Sequence, residues 1–82
     1  MSYRNSLQIM GDVLLQTSQY GQDGANKSIL MRKSNLSHSR LNQFLNNLIG
    51  SGLINDIVYE NPQTFVITPK GIQFLDKYRA FQ

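Results

Sequence analysis

A small α+β domain, mainly helical, is the fold class this 82-residue chain predicts. Three observations lead there. Four stretches place apolar residues at helical spacing. Two stretches rich in β-branched and aromatic residues sit together between the third and the fourth. No linker, low-complexity segment or internal repeat divides the chain, so residues 1–82 read as a single domain with one small core.

Ser6 to Gln19 is the first predicted helix, with Leu7, Met10, Val13 and Leu14 on one face and Ile9 and Tyr20 extending the apolar surface sideways. Gly21 to Gly24 is a turn that ends it. A second helix runs from about Lys27 to Ser34, with Asn26 as its cap. Asn35 tolerates a left-handed backbone and so can terminate that helix. Leu36, apolar inside a turn, should tuck under the bend. Ser37 then caps a third helix, about 37–51, whose buried stripe is Leu41, Phe44, Leu45 and Leu48, and Gly50 and Gly52 stop it.

Leu53 to Tyr59 and Thr64 to Thr68 look like two strands. Glu60 to Gln63 joins them, and Pro62 belongs in that loop because it cannot donate to a central ladder. Thr68 and Pro69 open the last helix as cap and first helical residue, and it runs to about Ala80. Ile72 and Leu75 are expected to cover the core, with Phe74, Tyr78 and Phe81 on another side.

Helix two, a turn of three to four residues and helix three make a helix-turn-helix unit. The hairpin directly after it is a wing. The predicted architecture is therefore a winged helix-turn-helix: three helices, a two-stranded wing and a C-terminal helix.

The segment from Gly24 to Ile54, "GANKSILMRKSNLSHSRLNQFLNNLIGSGLI", followed by "FVITPKGIQFLDKY", resembles the archaeal winged-helix family of roughly ten-kilodalton chromatin-type DNA-binding proteins and small transcriptional regulators. The resemblance spans about Tyr3 to Tyr78. Its most specific parts are Asn35 to Ser37, Gly52 to Ile54, and Ile67 to Gly71. It implies double-stranded DNA binding by a homodimer, with helix three as the recognition helix. The chain departs from many such relatives in two ways. Asn42, Gln43, Asn46 and Asn47 stand where several lysines are common, and the chain stops at Gln82 where some relatives extend the last helix into a coiled coil.

The outer face of helix three is acid-free and carries Ser37, His38, Ser39, Arg40, Asn42, Gln43 and Asn46. Asn is a poor helix former, so propensity does not explain this face. Asn and Gln match the N6 and N7 edge of adenine, while Arg40 suits a guanine or a phosphate. Ser37, beside free N–H groups at a helix start, suits a phosphate. Lys27, Arg32 and Lys33 can hold phosphates from helix two, although a plain solvated basic face explains each of them as well. On the wing, Asn61 and Gln63 offer hydrogen bonds, but the loop carries Glu60 and no cation. Ile9, Tyr20, Phe74, Tyr78 and Phe81 are the candidate dimer surface on the first and last helices.

Composition narrows the alternatives. A net charge of +3 favours an anionic partner without demanding one. With no cysteine, one histidine and five scattered acids, no metal cluster, cofactor site or catalytic pair is expected. Gly21, Lys27 and Ser28 have the spacing of a phosphate-binding loop, but Asn26 replaces its glycine and a helix precedes it instead of a strand. No apolar run approaches the roughly 20 residues that span a bilayer. The expected protein is a cytoplasmic, nucleoid-associated DNA binder and not an enzyme. A winged-helix adaptor between proteins is the alternative.

Overall fold

The computed structural model describes residues 5–58 and 62–80. In chain order the elements are α1 (Ser6–Ser18), a single 3-10 turn (Gly21–Asp23), β1 (Ala25–Asn26), α2 (Lys27–Ser34), α3 (His38–Gly50), β2 (Ile54–Ile57), β3 (Thr64–Ile67) and α4 (Pro69–Ala80). The predicted helix-turn-helix, wing and last helix are all present.

Local chemistry sets the helix starts. The Asn5 side chain accepts from the Gln8 N–H (2.8 Å) while the Gln8 side chain accepts from the Asn5 N–H (3.0 Å), a reciprocal box at the start of α1. Asn26 caps α2 by accepting from the Ile29 N–H at 2.9 Å. Thr68 does more than cap α4. Its hydroxyl accepts from the Gly71 N–H (3.0 Å) and donates to the Gly52 carbonyl (2.6 Å), while its own N–H bonds the Leu53 carbonyl (3.1 Å).

Strand β3 is central in a three-stranded antiparallel sheet of order β1-β3-β2. Ile54 pairs with Ile67 and Ile57 with Thr64 on one side, and Ala25 pairs with Phe65 on the other. Strand β1 corrects the sequence reading, in which these residues were only turn and cap. Two residues are too short to carry a strand's alternation, and only the full burial of Ala25 marks its role.

Phe65, Leu14, Leu30, Leu41, Leu45 and Leu48 are fully buried and join every major layer in one core. Leu36 is tucked against this core, as its place in the turn suggested. Two expectations fail. Leu7, assigned to the inward face of α1, is 53% exposed, and Ile72, assigned to cover the core from α4, is 49% exposed. In α1 the buried set is Ile9, Gly11, Val13, Leu14 and Thr17. Thr17 enters the core because its hydroxyl bonds the Val13 carbonyl at 2.8 Å, which satisfies the polar group within its own helix. In α4 it is Gly71 and Leu75 that turn inward, with Phe74 half-buried beside them.

Candidate nucleic-acid interface

The turn between α2 and α3 is Asn35 to Ser37. Asn35 sits in the left-handed region at φ 56°, and the Leu36 N–H reaches back to the Met31 carbonyl at 3.2 Å. Ser37 then opens α3 by accepting the Arg40 N–H at 3.2 Å. The far end of α3 closes in the same way. Gly52 has φ 77°, and the Leu53 N–H bonds the Leu48 carbonyl at 2.9 Å. Both ends of α3 are thus fixed by hydrogen bonds that need no partner.

Burial fixes which way α3 faces. Leu41, Phe44, Leu45 and Leu48 point into the core, while His38, Ser39, Arg40, Gln43, Asn46 and Asn47 are exposed and Asn42 is half-buried. No acid lies on this helix. The Asn42 side-chain nitrogen lies 3.3 Å from His38 Nδ1, one helical turn away. The Arg40 guanidinium sits 5.8 Å from the centroid of the Phe44 ring, a cation–π arrangement that restrains an otherwise mobile side chain.

The fold brings together residues distant in sequence. Asn42 and Asn46 on α3, Lys27 at the start of α2, and Gln63 beside the wing line one small depression. Asp56 on β2 also lines it and was missed by sequence reasoning. Its only signal was its place in a strand whose partner could not be known before the register was. One cation and one carboxylate in the same hollow leave it without net charge. Asn26, Lys27, Ser28, Pro62 and Gln63 line a second, more open hollow next to it. Arg32 and Lys33 are exposed in the last turn of α2, where positive charge also complements the helix dipole. Asn61 and Phe81 lie outside the described residues.

A family model described as winged helix-turn-helix matches residues 3–82. The chain belongs to the winged helix-turn-helix family. No curated protein shows a significant match to it. Winged helix-turn-helix domains are typically DNA-binding and non-enzymatic. Among the described residues of this winged helix, no three His, Cys, Asp or Glu side chains come together as a metal site, and no helix is long and apolar enough to cross a membrane.

The surface proposed for a second copy needs correction within this winged helix. Ile9 is 5% exposed and belongs to the core, so it presents nothing to a partner. Tyr20 and Phe74 are half-buried and pack against that core. The Tyr78 ring lies directly over Gly11 of α1, so close that a Cβ at Gly11 would be 2.8 Å from it. Phe74 and Tyr78 stack with ring centroids 6.5 Å apart. Much of the aromatic surface on α4 therefore serves the α1–α4 contact inside one chain.

Proposed function

We propose that this winged helix binds double-stranded DNA by laying α3 in the major groove, as a small transcriptional regulator associated with the nucleoid in the cytoplasm. One observation carries the reading. The exposed face of α3 is acid-free and built from hydroxyl, amide and guanidinium groups, on a helix whose other face is locked in the core. Such groups match base edges, whereas an ordinary solvated helix would mix Lys with Glu. In this pose Ser37 and Lys27, Arg32 and Lys33 contact phosphates, and Ser39, Gln43 and Asn46 meet the groove floor. His38, Asn42 and Gln63 line the side nearer the wing.

A salt titration of binding to duplex DNA tests this. The modest cationic complement predicts a slope of log K against log salt of about −3 to −5 per protomer, from roughly that many phosphate contacts. Failure to bind any duplex at low salt would overturn the reading in favour of a protein-protein adaptor.

Homodimerisation is a second proposal, supported by the apolar surface left along the α1–α4 seam. Leu7 is exposed one helical turn before Gly11 on the same face, so it extends the partly exposed Phe74–Tyr78 stack. A two-fold pair formed there leaves both α3 faces free, and recognition helices about 34 Å apart enter successive major grooves. Light scattering after size exclusion should give twice the protomer mass at micromolar concentration, and Leu7→Glu should return it to one. A single-protomer mass for the unaltered protein rules this seam out as a dimer interface.

A further inference from the structure

The rotation of α3 determines which of its residues reach furthest from the domain. At about 3.6 residues per turn, the positions opposite Leu41, Phe44, Leu45 and Leu48 are Ser39, Gln43, Asn46 and Gly50. All four are exposed. This crest contains two long amides, one hydroxyl, one bare glycine and no charge. Arg40 is not on it. It lies about a quarter-turn away, and its guanidinium leans back over the ring of Phe44, which is itself buried at the core's edge. On the opposite flank, Asn42 is engaged with His38.

We infer that α3 selects A·T base pairs, with Gln43 and Asn46 each reading an adenine through N6 and N7, while Arg40 holds a phosphate on the groove wall instead of reading guanine. The inference rests on the groove-binding reading above and deepens it. A side-chain amide offers one acceptor and one donor group, which complement the adenine N6 donor and N7 acceptor at once. Guanine presents two acceptors in the major groove and is best met by an Arg or Lys fork, and the crest has neither. Cytosine offers a donor that a carboxylate would take, and the crest has none. Gln43 and Asn46 are three residues apart, about 4.5 Å along the helix axis, against a base-pair rise of about 3.4 Å. They therefore address neighbouring pairs. Ser39, whose hydroxyl both donates and accepts, adds contact without discrimination.

The test begins with selection of bound sequences from a random duplex pool, followed by replacement of adenine with 7-deazaadenine in the selected core. That base keeps Watson–Crick pairing and the minor groove unchanged and removes only the N7 acceptor. An A·T-rich core should emerge, and substitution at each of the two read adenines should weaken binding about tenfold. Arg40→Ala should weaken selected and random duplexes by the same factor. A G·C core, full affinity for the 7-deazaadenine duplex, or loss of sequence preference in Arg40→Ala would overturn the adenine reading while leaving duplex binding intact. No binding to any duplex at low salt would overturn the groove reading as well.

Discussion

Gly71→Ala should destabilise the domain by about 3 kcal/mol, the upper end of the range for overpacking a closed site. A Cβ at this position would clash with the Leu53 carbonyl oxygen and stand 2.7 Å from Ile67 Cγ1. Neither neighbour can retreat. The Leu53 carbonyl accepts the Thr68 N–H at 3.1 Å, and the Leu53 N–H bonds Leu48 at 2.9 Å, so moving that peptide loosens the end of α3. Ile67 is held in the ladder opposite Ile54. For a domain of this size the change corresponds to a fall in Tm of roughly 12–24 °C. Gly50→Ala is the control within the same thermal melts. A Cβ there meets nothing within 4 Å, so its Tm should hold or rise slightly. Equal melting of Gly71→Ala and the unaltered protein would show that α4 does not start against the end of α3 as described.

The largest effect on binding should come from Gln43→Glu combined with Asn46→Glu. Both positions are exposed, and Glu is at least as good a helix former as the residues it replaces, so the melting temperature should change little. Two carboxylates would then face a groove lined by phosphates, where unfavourable charge juxtaposition costs several kcal/mol. Affinity for duplex DNA should fall at least about 100-fold at low salt, as read by fluorescence anisotropy. Unchanged affinity in a folded double variant would mean that another surface holds the DNA.

The helix-turn-helix was legible in the sequence because its signals are local. Asn26, Asn35 and Ser37 each act within a few residues of themselves, as Thr68 does in capping α4, and the cap, the left-handed residue and the chain reversal follow from side-chain chemistry. The rotation of α3 was legible too, since Leu41, Phe44, Leu45 and Leu48 allow only one inward face. Helices α1 and α4 were harder. Their apolar residues occur on more than one side, and the decision fell to residues that hydropathy ranks low. Gly11 turns inward because the Tyr78 ring needs its space, and Thr17 because its hydroxyl is satisfied by its own helix. Leu7 and Ile72, which hydropathy ranks high, are left exposed. Within the candidate site, the chemistry of α3 was visible early, whereas the approach of Asp56, Lys27 and Gln63 to Asn42 depends on long-range strand register that no local pattern encodes.

The hydroxyl of Thr68 gives the domain a mechanical property. Held by the Gly52 carbonyl on one side and the Gly71 N–H on the other, it acts as a rivet between α3 and α4. With Leu41, Phe44, Leu45 and Leu48 locked in the core, α3 is not free to roll on its own axis. The handle and the reading head of this molecule are therefore parts of one body. A push on α4 carries Gln43 and Asn46 with it and leaves unchanged which letters they face.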